Sequence, residues 1–318
     1  MKLKIIFNLK FMREHFLKLK SNLELNPDLE ETISTKHKAI RDYIKNNNPL
    51  VKDSKLIGSI ARKTRIHPGK DNRIDIDVLV IMGEFYDWVN IGGISPGDAL
   101  DELHRTVFES ERYKTKNPVQ DEPTIKLTYD DNIDIELVPA YVDNIGRDRF
   151  GNSTEPKGRG YWVVKNNAWE IADYDHEADY ISEQNRVSDG YLIPTIKILK
   201  ALKRNHFSDL GSFPLEVIAS NIIPLSVLMR KRNNTAIEYH DLIEDFLEQA
   251  PVQISEEICV PNSKSNPTVI DPLMSHLIKD RVSELSKEVK RINSMSFKTD
   301  KVNAWKQLFG EHFPVSLT

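Results

Sequence analysis

Asp75 and Asp77 stand two apart in the run Arg-Ile-Asp-Ile-Asp-Val-Leu-Val-Ile-Met at residues 73–82. In a strand, side chains at i and i+2 leave the same face, so two carboxylates emerge together while Ile76 turns inward. Like charges placed this way raise each other's pKa unless a cation sits between them. A magnesium pair about 3.5–4 Å apart is the usual partner in phosphoryl and nucleotidyl transfer. An edge strand showing acidic residues to solvent would give the same spacing. Residues 132–141 repeat the pattern with Asp134 and Glu136. If this run pairs beside the first, one of the two completes a three-carboxylate magnesium site, with further ligands from substrate phosphates.

Gly58-Ser59 lies seventeen residues before Asp75. Such a pair between a strand and a helix start can offer N–H groups and a hydroxyl to a phosphate, and Thr64 could add a second hydroxyl. An ordinary turn with a helix cap would look the same. A helix over residues 191–206 puts Lys197, Lys200 and Lys203 along one face, at i, i+3 and i+6. That face could equally be a solvated basic surface.

These residues need elements to position them. Residues 5–46 read as helices divided near Asn26-Pro27, the first amphipathic. Residues 56–62 read as a short strand and turn, and residues 73–82 as a central strand. Residues 124–129 and 132–141 form a hairpin around Asp130-Asp131, with helical spacing at residues 98–112. Residues 143–160 read as a surface loop, and from about Tyr180 the pattern is helical, broken by a loop at residues 262–267. The expected fold is α+β: a mixed sheet with flanking helices, then a helical domain, with the active-site cleft between them. We place the boundary between residues 1–183 and 184–318. Trp305, Phe309 and Phe313 have core spacing.

The 318 residues suffice for one large or two ordinary domains. A single cysteine, Cys259, excludes an internal disulfide and a cysteine-rich zinc site and fits a cytoplasmic setting. No apolar run reaches the roughly 18 residues that a membrane span needs, so no membrane partner is expected. A net charge of −4 gives no clear surface for duplex nucleic acid.

The order Gly-Ser, then Asp-x-Asp, then a carboxylate before a Val-Pro-Ala strand end resembles the polymerase-beta-like nucleotidyltransferases. Within them the chain is similar to the bacterial CD-NTases of the SMODS type, relatives of cyclic GMP-AMP synthase and oligoadenylate synthase. The resemblance runs through GSIARKT, RIDIDVLV, IELVPAY, YWVVKNNAWEIAD, IKILKALKR, SFPLEVI and WKQLFGEHFP. It implies an enzyme that condenses nucleoside triphosphates, at least one a purine, into a cyclic di- or trinucleotide that activates a separate effector in antiphage (CBASS) defence. It implies two Mg²⁺, or Mn²⁺, on Asp75, Asp77 and Glu136, with Asp134 as the alternative third ligand. It also implies Lys200, with Lys197 one turn earlier, and Ser212 on the donor triphosphate, and Phe213 stacking on a base. The family commonly has Gly where Lys63 stands and Asp where Glu136 stands. Transfer to an RNA, protein or small-molecule acceptor, or a non-catalytic nucleotide sensor, are the other readings.

Overall fold

A computed structural model describes residues 2–69, 73–121, 123–143 and 160–317, with side chains from residue 11 onward. All but the ends of the loop expected at residues 143–160 lies outside the described residues.

Two helices open the chain, α1 (Lys2–Asn22) and α2 (Pro27–Asn47). Asn26 separates them by capping α2, its side chain accepting from Leu29 N at 2.8 Å, with Pro27 at the first helical position. Then come β1 (Asp53–Leu56), a single turn α3 (Gly58–Ala61), β2 (Ile74–Glu84) and α4 (Pro96–Phe108). The strands β3 (Val119–Asp121), β4 (Thr124–Tyr129) and β5 (Ile133–Val142) follow. After them come β6 (Tyr161–Lys165), β7 (Ala168–Ala172) and the helices α5 (Tyr174–Val187), α6 (Leu192–His206), α7 (Ser212–Arg232), α8 (Tyr239–Gln253), α9 (Pro272–Ser294) and α10 (Lys298–Phe309).

The strands form one mixed sheet in the order β1-β2-β5-β4-β3, extended by β6 on β5 and β7 on β6. β2 and β5 run parallel, with Asp75 opposite Asp134 and Asp77 opposite Glu136. The β4–β5 hairpin turns where expected, and Asn132 takes the left-handed conformation there (φ 59°). The β6–β7 hairpin was not anticipated from the alternation pattern. Its turn is Asn166-Asn167, both with positive φ (51° and 55°), the geometry of a two-residue hairpin that asparagine tolerates well.

The apolar residues form two main cores. One fills the space between the sheet, α2 and α4, around Ile76, Val78, Leu103 and Ile135. The other lies among α5–α10, around Leu199, Ile218, Phe246 and Trp305. Helix α1 joins the second: Met12, Phe16, Leu19 and Leu23 are buried there, and the Phe16 ring stands edge-on to Trp305 at 5.0 Å. Trp305, Phe309 and Phe313 are core residues, as their spacing indicated. Among the described residues α7 is the one helix long and apolar enough to cross a membrane, contrary to the expectation that no such run exists. The most apolar stretch of α7 is 67% buried inside the protein, against α5, α6 and α8, which accounts for its composition.

Candidate active site

Strands β2 and β5 build one wall of the site. Along β2, Ile74 and Ile76 are buried while Asp75 and Asp77 face outward, as strand alternation requires. Glu136 comes beside Asp77 through the parallel register, and all three carboxylates line one cavity of about 310 Å³. Burial pushes the Asp77 carboxyl up to about 6, helped by Asp75 and opposed by Arg62 and Lys200. Burial also raises Glu136, with Asp77 and Asp75 adding to it and Lys126 opposing. Asp75 is raised as well, mainly by burial, with Lys126 opposing and Asp134 adding. Protons are thus held more tightly than usual at all three, the condition a bound cation would relieve.

Asp134 sits one pleat back and is differently employed. Its carboxylate is 1% exposed as a residue and accepts from Arg73 Nε at 2.8 Å and from Lys126 Nζ at 3.1 Å. Burial alone would raise its pKa, but these two partners hold it below the usual range. Asp134 does not line the cavity, whereas Glu136 does, with Lys126 Nζ 3.6 Å away.

The Gly58-Ser59 turn closes the cavity from above β2. Ile57 N donates to Asp77 O at 3.0 Å, which ties the turn to the strand. Gly58 has φ +64°, and a Cβ there would meet Asp77 Oδ2 at 1.9 Å. Only glycine lets the carboxylate rest against the turn. The turn ends on Lys63, a non-glycine residue in the left-handed region (φ 59°), where the resembling family has Gly.

The opposite wall comes from α6 and α7. Glu216, fully buried in the first turns of α7, accepts from Arg62 Nε at 2.7 Å and from Lys200 Nζ at 2.6 Å. Lys200 Nζ also donates to Thr64 O at 3.1 Å and Thr64 Oγ1 at 3.2 Å. Burial pulls Lys200 below its ordinary pKa, with Glu216 opposing. For Glu216, burial pushes upward but Arg62 and Lys200 outweigh it and hold the carboxylate ionised.

Of the sequence-derived residues, Gly58, Ser59, Asp75, Asp77, Glu136, Lys200 and Ser212 come together at this cavity. Thr64 is fully buried behind it, serving Lys200. Lys197 points elsewhere: its ammonium pairs with Glu24 at 2.5 Å and does not line the cavity. Phe213 packs partly into the helical core, with the Arg62 guanidinium 4.9 Å from its ring centroid. Sequence reasoning missed Arg62, Arg65, Arg204 and Glu216, all lining residues. For Glu216 a signal existed. It is the one charge in α7 before the basic last turn at residues 230–232, and a lone buried charge needs a partner.

The comparisons with known proteins come down on one family. Residues 11–185, more than half of the chain, match the Second Messenger Oligonucleotide or Dinucleotide Synthetase domain. The chain belongs to this family. A curated relative, the cyclic AMP-AMP-AMP synthase of Acinetobacter sp. (strain ATCC 27244 / 9458), is 23% identical over 207 residues, covering 62% of this chain and 54% of that protein. The chain thus aligns with about half the length of that relative. E. coli MS115-1 CdnC, solved with HORMA-deltaN, superposes with a TM-score of 0.69 at 14% identity, over 95% of this chain and 98% of that one. The Bradyrhizobium diazoefficiens CD-NTase CdnG, solved with GTP, gives 0.67 at 12% identity, over 94% and 96%. Vibrio cholerae DncV cyclic AMP-GMP synthase gives 0.61 at 14% identity, over 83% and 70%. The synthetase-family fold expected from the motifs, a mixed sheet with flanking helices and a helical C-terminal part, is therefore the fold observed.

Can this site hold a divalent metal? Among the described residues no three His, Cys, Asp or Glu side chains are gathered closely enough to chelate an ion by themselves. The donor set is nevertheless all hard oxygen, its pKa values are raised, and the Asp77 carboxylate is seated in a cradle that a Cβ would fill. That fits magnesium, which binds through few carboxylates and draws other ligands from phosphates and water.

Proposed function

We propose that the protein is a template-independent nucleotidyltransferase that condenses nucleoside triphosphates into a cyclic di- or trinucleotide, with loss of pyrophosphate. The observation that carries this reading is the meeting of Asp75, Asp77 and Glu136 in one cavity with Ser59, Ser212 and a basic helical wall. Two Mg²⁺ ions, or Mn²⁺, would be held by Asp75, Asp77 and Glu136. When bound, such ions lower the pKa of an attacking hydroxyl and offset charge on the reacting phosphate. Ser59 and Ser212 offer hydroxyls to the donor phosphates from the two walls. Lys200, fixed by Glu216 and Thr64, holds a positive charge at the cavity's edge in one position, so no reorganisation is needed when the triphosphate arrives. A base stacking on Phe213 would share that ring with Arg62.

Residues 1–183 are proposed as the catalytic core and residues 184–318 as the helical domain, with α1 lending its apolar face to the latter. The product would act in the cytoplasm as an antiphage messenger to a separate effector. The raised pKa values of all three carboxylates favour a metal-dependent enzyme over a nucleotide sensor, since a binding-only protein gains nothing from clustered like charges. The test is incubation of the purified chain with the four nucleoside triphosphates and magnesium. A phosphatase-resistant, endonuclease-sensitive product with at least one purine is expected. A phosphatase-sensitive product, or one needing an RNA or protein acceptor, overturns the reading.

A further inference from the structure

Helix α6 brings three cations to the catalytic cavity, Lys200, Lys203 and Arg204. Only the first is neutralised, by Glu216 at 2.6 Å. Among the described residues the hydrogen bonds of the other two go to backbone carbonyls, and Lys203 feels one carboxylate at longer range, Asp209, which is itself paired with Arg281. Lys203 Nζ donates to Leu210 O at 2.9 Å and Ser208 O at 3.4 Å, and Arg204 Nη1 to Pro68 O at 2.9 Å and His67 O at 3.0 Å. Both side chains are half-buried, and burial pulls both below their ordinary pKa. Adjacent half-buried cations with only a distant, shared counter-charge are unfavourable, and their usual remedy is an anion.

The same two side chains also line a second cavity, of about 390 Å³, on the other side of the α6 C-terminus. Pro68, Gly69, Ser208 and His312 form much of its wall, and among the described residues Glu311 is its one lining carboxylate. His312 is held below its ordinary pKa, chiefly by burial. Lys203 and Arg204 therefore stand where two polar cavities meet.

We propose that Lys203 and Arg204 form a second phosphate site continuing the catalytic cavity, whose ligand is a phosphate of a nucleotide chain lying beyond the two reacting nucleotides. The chain is the linear intermediate, so this identification rests on the proposed function, while the anion site itself does not. Geometry favours this ligand over the donor triphosphate. The proposed function gives the donor phosphates to Ser59, Ser212 and Lys200, and a second cavity that shares Lys203 and Arg204 with the first is spare for one reacting pair. An enzyme that closes a ring of three nucleotides must park the third, and its phosphate needs a counter-charge there.

Equilibrium binding to the full chain tests this, in calcium to hold back turnover, with ATP, a linear 5′-triphosphorylated triadenylate and inorganic tripolyphosphate as probes. The Lys203→Gln/Arg204→Gln variant should bind the linear trinucleotide about 10- to 100-fold more weakly and ATP less than about threefold more weakly. Ser208→Trp, which fills the second cavity and leaves both charges in place, should reproduce the selective loss. Equal loss on both nucleotides would assign the cations to the donor triphosphate, and no loss would make them structural; either overturns the proposal. A wild-type chain that makes no cyclic product but binds tripolyphosphate in an Arg204-dependent way would retain the anion site and lose the proposed function, so the two failures separate.

Discussion

The two walls of the catalytic cavity handle charge in opposite ways. On the helical wall the innermost charges are matched, Glu216 against Arg62 and Lys200, all buried and all hydrogen-bonded. On the sheet wall Asp75, Asp77 and Glu136 line one cavity, and among the described residues the one ion pair any of them makes is the loose one of Glu136 with Lys126, at 3.6 Å. A matched buried cluster fixes geometry, because removing one member leaves another charge stranded. An unmatched cluster is held at a cost in stability and is ready for a ligand of opposite sign. The comparison teaches where to look for function in this fold: at the charges the fold leaves unanswered.

That contrast can be broken by substitution. The largest effect is expected from Asp75→Asn with Asp77→Asn, which should lower synthesis about 10⁴-fold or more. Its melting temperature should hold or rise, because repulsion is relieved. Retained activity, seen by product chromatography, would remove the sheet wall from the chemistry. Next, Glu216→Ala should cost about 3–5 kcal/mol in urea unfolding, since it strands Arg62 and Lys200. Glu136→Gln should cost less than about 1 kcal/mol of stability but about 100-fold in turnover. If Glu136→Gln were instead the milder of the pair with Asp134→Asn in turnover, the working register would sit one pleat lower.

A pH series sharpens the comparison. Folding raises the Asp77 pKa from 3.8 to about 6, so between those values the native state binds more protons than the unfolded chain. Metal-free stability should therefore fall as pH rises from about 4 to about 6, by at most about 2 kcal/mol, and level off above. Metal binding must expel that proton, so metal affinity measured by calorimetry should weaken about tenfold per pH unit below 6. Asp77→Asn should flatten both profiles. The smallest effect concerns the turn above Asp77. Lys63→Gly should raise stability by about 0.5–1 kcal/mol by removing left-handed strain, with thermal melting as the readout.

Much of this was legible in the chain. Strand alternation around Ile76 put Asp75 and Asp77 on one face, and the hairpin at Asp130-Asp131 gave the second strand. What local patterns could not supply was the pairing of β2 with β5, hence the choice of Glu136 over Asp134 as the cavity residue. That choice depends on Arg73 and Lys126 reaching Asp134 from neighbouring positions. Lys197 and Lys200 are indistinguishable by spacing; only the packing of α1, which brings Glu24 to Lys197, separates them. The membrane-like composition of α7 has a similar origin, since a helix surrounded by other helices has few faces left to be polar.

The path of the chain between its two cores has a mechanical consequence. The polypeptide leaves the helical core after Leu23 to enter the sheet side through α2, and returns at Asp173, the cap of α5. Between these it touches back repeatedly: His67 N donates to Leu23 O at 2.8 Å, Thr64 accepts from Lys200, Arg62 pairs with Glu216, and Asp143 pairs with Lys264. Two bodies strapped together at separate points lose most of their relative freedom. Any movement of one against the other has to break links of this kind. Arg62 and Glu216, one from each side, are a buried pair among these links, so parting the two sides there would strand both charges.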